Sequence, residues 1–150
     1  AMFSIIHFEI PGAAVLDLFG GTGQLGIEAL SRGAKRAVFV DASDPACALI
    51  RENLKRCKME NDGKVVRADY LQYLSCCSER FNIILLDPPY AEVFLENALK
   101  RITEIDILES GGIIVAERPV GKDLPWDFSG YTRSKDYKYG KTLITLYRKD

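Results

Sequence analysis

The chain is poor in the residues that hold metals or cross-link distant segments. Its 150 residues include one histidine and four cysteines. Cys47, Cys57, Cys76 and Cys77 contain no C-x-x-C pair and none is spaced with His7 as metal ligands are, so no metal site is expected. Cys47 and Cys57 fall in a helical pattern and read as buried free thiols, in keeping with a reducing cytoplasm. Cys76-Cys77 has no basic residue directly beside it to lower a thiol pKa, which sets redox chemistry aside. No apolar run approaches the roughly 18 residues of a membrane span, and no signal-peptide pattern is seen. Neither membrane nor secretion is indicated, and a cytoplasmic location is the expectation. Repeats, low-complexity segments and dividing linkers are missing too. Residues 1–150 are therefore expected to form one domain, long enough to bury a core without staples.

The residues that are present are ordinary in proportion, 47% hydrophobic and 27% charged, as in soluble globular proteins. The net charge of −1 hides an asymmetry. From Arg118 onward there are eight Lys/Arg against four Asp, leaving 12 Lys/Arg and 17 Asp/Glu before it, a balance of −5 followed by +4. The basic C-terminal third reads equally well as a phosphate-facing surface or as a solvated hairpin.

Strand and helix patterns alternate along the chain. Strands are predicted over residues 13–19, 36–40, 64–68, 80–86 and 113–117, the last entered through Gly111-Gly112. Helices are predicted over 23–32, from Ser43 or Asp44 onward, over about 70–77 and over 93–105. In the second helix Ala46, Leu49, Ile50, Leu54 and Cys57 give the apolar stripe. Residues 131–137 and 142–148 alternate apolar and polar around Lys138-Tyr139-Gly140-Lys141, an antiparallel hairpin. The expected fold is α/β, a doubly wound, mostly parallel seven-stranded sheet closed by that hairpin. Ligands in such sheets bind beyond the carboxyl ends of the strands, where strand order reverses. Asp17, Asp41, Asp69 and Asp87 all stand at those ends.

Two motifs occupy this rim. Asp87-Pro88-Pro89-Tyr90 directly follows the apolar run 81–86. The prolines fix φ and remove two backbone donors. An acceptor carboxylate, stiff carbonyls and a flat ring make a clamp for a planar group bearing an amine, such as a nucleobase; a plain strand-to-helix turn is the alternative. Gly21-Thr22-Gly23-Gln24-Leu25-Gly26 matches G-x-G-x-x-G, with Asp41 about 20 residues on to meet ribose hydroxyls, which by itself would suit NAD. Asp17 discriminates, because a carboxylate aimed into that turn repels a pyrophosphate. S-adenosylmethionine carries a sulfonium and an ammonium instead. Asp69, with Tyr70 beside it, suits an adenine amine or caps a helix, and both readings stay open. For Asp17 the capping reading is set aside.

With these motifs assembled, the chain resembles the S-adenosylmethionine-dependent amino-group methyltransferases, and more narrowly the RsmD-like family that methylates guanine-N2 in 16S ribosomal RNA. The resemblance rests on residues 15–23 (Val-Leu-Asp-Leu-Phe-Gly-Gly-Thr-Gly), 25–34, 37–41, 50–54, 87–90 and 139–142. It implies a Rossmann-like methyltransferase fold, with S-adenosylmethionine held by Asp17, Phe19, Gly20, Gly21, Thr22, Gly23, Asp41, Ala42, Asp69 and Tyr70. It further implies Asp87, Pro88, Pro89 and Tyr90 as the catalytic group. The implied partner is small-subunit ribosomal RNA or an assembling 30S particle, handled by a monomer without metal or membrane. Gly20 stands where the family usually has Ala and Asp41 where it usually has Glu, changes that keep the chemistry. Tyr70 replaces a commonly small residue and alters packing beside adenine. Residues 1–6 resemble the end of a helix that family members precede with a basic arm. That arm is missing here, so RNA binding is expected to suffer and cofactor binding to persist.

Four rivals differ in chemistry. Adenine-N6 enzymes on DNA usually need a recognition domain for which this chain has no room, whereas adenine in RNA remains an alternative. Protein-glutamine enzymes resemble Asn-Pro-Pro-Tyr rather than Asp87-Pro88-Pro89-Tyr90. An NAD oxidoreductase is disfavoured by Asp17. A non-catalytic nucleotide-binding fragment is disfavoured by the intact clamp.

Overall fold

The computed structural model describes residues 2–89, 91–121 and 127–150. A short helix α1 (Met2–Ile5) and a single 3-10 turn lead into β1 (Ala14–Asp17), α2 (Gln24–Ser31), β2 (Arg36–Asp41), α3 (Asp44–Arg56) and β3 (Gly63–Arg67). Then come α4 (Tyr70–Cys76), β4 (Phe81–Leu86), α5 (Ala91–Glu104), β5 (Leu108–Pro119), β6 (Tyr131–Arg133), β7 (Tyr137–Tyr139) and β8 (Thr142–Lys149). The sheet order is β3-β2-β1-β4-β5-β8-β6, with β7 also paired to β8. The first five strands run parallel, and β8 lies antiparallel to β5. This is the expected doubly wound architecture, with the order reversing between β1 and β4.

Alternation along the central strands divides the core. Ile84, Leu86, Ile114 and Ala116 face α4 and α5. Ile83, Leu85, Ile113 and Val115 face the side that holds α1, α2 and α3. Burial on both faces is why these strands read as continuous apolar runs. Among the described residues no helix is long and apolar enough to cross a membrane.

The sheet has eight strands where seven are expected. The segment read as one strand over 131–137 breaks between β6 and β7, because Asp136 turns its carboxylate inward. It accepts from Arg118 Nη2 at 2.9 Å, from Arg133 and from the Thr145 hydroxyl. Burial alone would raise the Asp136 pKa; the Thr145 hydrogen bond and the two guanidinium groups outweigh it and hold the carboxyl below its usual value. Arg118 is itself buried. The C-terminal basicity is thus partly spent inside the fold: Arg118 and Arg133 pair with Asp136, Lys149 with Asp106, and Arg148 with Glu9. Gly111-Gly112 is a bulge rather than a turn before the strand, since β5 already pairs at Leu108 and shifts register before Ile113.

Ser43 caps α3, its hydroxyl accepting from the Ala46 amide at 3.2 Å, with a proline in the first turn. The buried stripe of α3 is Cys47, Ile50 and Leu54, so Leu49 at 39% and Cys57 are exposed, contrary to expectation. Cys57 follows the last helical residue, where the chain has left the face that its spacing assigns to it.

Gly26 lets α2 lie close to β2. A Cβ there would meet the Phe39 ring at 2.3 and 2.7 Å, and Phe39 is fully buried. Gly26→Ala gains about 1 kcal/mol of helix propensity. It overpacks the core at a cost of about 1–3 kcal/mol or more, because the ring has nowhere to go. The expected outcome is a lower urea midpoint with unchanged slope. An unchanged or higher midpoint would mean that the helix slides freely.

Candidate active site

The glycine turn connects β1 to α2 and is tied down on all sides. The Gly20 amide donates to the Val40 carbonyl at 2.8 Å, and the Gly23 amide to the Gly20 carbonyl at 2.7 Å. Gly23 caps α2 at φ +82°, a left-handed conformation that a side chain would strain. Asn53 of α3 donates to the Thr22 carbonyl at 2.9 Å, so the helix behind the turn fixes its outer edge. The Asp41 carboxylate spans two loops, accepting from the Gly21 amide and from the Ser43 amide at 2.9 Å each.

These loops surround a cavity of about 680 Å³ at the carboxyl ends of the strands. Of the residues expected at the cofactor, Phe19, Gly20, Gly21, Thr22, Asp41, Ala42, Asp69 and Tyr70 line it. Asp87, Pro88 and Pro89 line the same cavity. Tyr90 lies outside the described residues. Two expected residues do not line it. Gly23 serves the turn as described, and Asp17 sits beneath the turn, 1% exposed.

Asp17 is not the N-cap of α2, a place that Gly23 holds, yet its carboxylate serves that helix from the end of β1. Its Oδ2 accepts from the Gly26 amide of α2 at 3.1 Å. Among the described residues its buried Oδ1 has no hydrogen-bond partner. Burial raises the Asp17 pKa to about 7; the Gly26 bond opposes this, and the charges of Asp87 and Asp41 add to it. Asp69 settles on capping while still facing the cavity: its Oδ2 accepts from the Leu71 and Gln72 amides. Asp87 is exposed at the rim, yet partial desolvation still pushes its carboxyl upward.

The cavity has an aromatic wall that sequence reasoning saw only in part. Tyr70 packs on Phe19 at 5.0 Å between ring centroids and edge-on to Phe94 at 5.4 Å. Its hydroxyl accepts from Asn97 at 3.4 Å. Phe94 was hidden in the apolar pattern of α5, where periodicity alone does not say which ring faces a ligand. Rings, backbone amides and acids are what an adenosine takes for its base and its ribose. The orphaned Asp17 oxygen lies under the same turn, where an ammonium would both satisfy it and favour its ionised form, whereas a phosphate would not.

An open sheet with such a switch-point cavity has the Rossmann-like methyltransferase architecture. A solved "conserved hypothetical protein" from Streptococcus pyogenes superposes on it with a TM-score of 0.89 at 29% identity, covering 100% of this chain and 96% of that one. In sequence, residues 1–148 match the family model described as "Conserved hypothetical protein 95"; the chain belongs to this family, the RsmD family of S-adenosylmethionine-dependent methyltransferases. Among its relatives, the "Putative rRNA methyltransferase YlbH" of Bacillus subtilis (strain 168) is 37% identical, over 99% of this chain and 83% of that protein. "Ribosomal RNA small subunit methyltransferase D" of Escherichia coli (strain K12) is 28% identical over 99% of this chain and 75% of that protein.

Proposed function

We propose that residues 1–150 form one methyltransferase domain that moves a methyl group from S-adenosylmethionine to the exocyclic N2 amine of a guanine in small-subunit ribosomal RNA. The observation that carries this reading is the shared cavity: Asp87 and its two prolines face the same space as the glycine turn and Asp41. When bound, S-adenosylmethionine supplies an electrophilic methyl group. Asp41 would take the ribose hydroxyls, the ring wall the adenine, and Asp17 the ammonium. The names of the relatives, both rRNA methyltransferases, support an RNA substrate.

The amine of a nucleobase is a weak nucleophile because its lone pair is delocalised into the ring. Asp87 and the Pro88 carbonyl would accept its two N–H groups, drawing the nitrogen toward tetrahedral geometry and aiming the lone pair. Holding the reacting atoms about 3–3.5 Å apart supplies most of the acceleration. Tyr90 would stack on the flipped base, worth about 1–3 kcal/mol. Asp87 is the final proton acceptor; no base is needed before attack, because charge building on nitrogen acidifies the proton. The test is incubation with labelled methyl donor and unmodified small-subunit particles, followed by mass spectrometry of the nucleosides. N2-methylguanosine is expected; N6-methyladenosine would replace this reading by the adenine one.

A further inference from the structure

A second cavity of about 280 Å³ adjoins the first and shares Gln24 and Leu25 with it. Phe3, Tyr139 and Ile144 supply apolar and aromatic walls, and Glu117 and Glu28 supply acids, of which Glu28 is already paired with Arg32. Glu117 stands on β5 one step beyond the Leu86–Ala116 pair, the position next to Asp87 on the neighbouring parallel strand. Parallel strands lie about 4.8 Å apart, and residues at matched positions point to the same face. Glu117 continues the series Ile113, Val115 onto the side of α1 and α2, and the alternation Ile83, Leu85 carries Asp87, the first residue after β4, toward the same side; Asp87 lines the first cavity and Glu117 the second. The Glu117 backbone belongs to the β5–β8 ladder, while among the described residues no hydrogen bond or ion pair engages its side chain. Burial raises its pKa, and the charge of Asp87 adds to that effect.

Two carboxylates side by side are complementary to one kind of nucleobase edge. The Watson–Crick edge of guanine presents two adjacent donors, the N2 amine and the N1–H. Adenine presents one donor beside an N1 lone pair, which a carboxylate repels. We propose that Glu117 is the specificity-determining residue for the target base, accepting the guanine N1–H while Asp87 accepts from the N2 amine. This rests on the guanine reading above and adds to it a residue outside the Asp-Pro-Pro-Tyr clamp. A site built to bond an N–H rejects an analogue without it far more strongly than an apolar pocket rejects a change of shape.

2-Aminopurine separates the two contacts, since it keeps the N2 amine but carries an acceptor at N1. Once the methylated nucleotide has been identified, small-subunit particles are reconstituted with guanine or 2-aminopurine at that position. The wild type is expected to prefer guanine in kcat/KM by about 100-fold or more. Glu117→Gln, whose amide offers an N–H to the N1 acceptor, is expected to narrow that preference at least tenfold. Glu117→Ala is expected to lose about 10–100-fold on guanine, the range for one buried hydrogen bond to a charged group. S-adenosylhomocysteine affinity should stay unchanged in both variants, which also verifies their folding. Equal use of the two bases by the wild type, or an unaltered preference in Glu117→Gln, overturns the role of Glu117 and leaves the guanine reading standing. A wild type that binds S-adenosylhomocysteine but leaves guanine unmethylated overturns both.

Discussion

Asp87→Ala is expected to lower turnover by about 10³-fold or more while S-adenosylhomocysteine binds within about threefold of its wild-type affinity. The loss comes chiefly from the orientation of the amine, because the proton leaves only after attack has begun and positioning is what sets the rate. Cofactor affinity survives because the glycine turn, Asp41 and the ring wall are carried by the end of β1, β2, α4 and α5, and among the described residues none of them is hydrogen-bonded to the Asp87 side chain. Asp87→Asn should fall between the two proteins, since the amide oxygen still accepts one N–H but takes up no proton. Partial desolvation already raises the Asp87 carboxyl, so wild-type turnover should climb with pH through a window above the ordinary carboxylate range. Single-turnover methylation together with calorimetry checks both halves; a variant as fast as the wild type removes Asp87 from the chemistry.

Replacing Asp17 by Asn is expected to do two opposite things. A carboxyl whose pKa rises on folding holds more protons in the native state than in the unfolded chain, here between about 3.9 and about 7. Its contribution to stability is therefore full below that window, declines as pH rises through it and levels off above. Three pKa units correspond to about 4 kcal/mol, an upper figure for the cost of an ionised Asp17 at pH 8. Asn keeps an acceptor for the Gly26 amide and carries no charge. The ligand-free variant should thus be more stable than the wild type at pH 8, by about 2–4 kcal/mol, with the difference shrinking toward pH 5. Cofactor affinity should move the other way, about 10–100-fold weaker, as the ammonium loses an anion at close range. Urea midpoints of both proteins at the two pH values, with and without S-adenosylhomocysteine, give the full comparison. A wild-type-minus-variant difference that does not change with pH would mean that Asp17 stays ionised in the folded protein.

Much of this site was legible because its parts are local. The glycine turn, the Asp41 spacing, the Ser43 cap and the proline corner each span a few residues and state their geometry in residue type alone. What sequence reasoning missed depends on long-range partners. Asp136 breaks the sixth predicted strand only because Arg118, 18 residues away in sequence, is buried beside it. Asp17 was read only against the charge of a ligand; its bond to the third amide of α2 depends on how that helix returns over β1, which residue type does not state. Glu117 carried a readable signal in its alternation with Ile113 and Val115, which placed it on the face of Asp87. That signal meant nothing until the order of β4 and β5 was known.

The first turn of α2 borders both chambers through Gln24 and Leu25. A partition used from both sides makes their capacities interdependent: a bulkier side chain at 25 takes room from donor and acceptor together, and a smaller one opens a passage between them. Because Asp17 holds this same turn from below through the Gly26 amide, one buried carboxylate both braces the dividing wall and stands ready beneath the donor chamber.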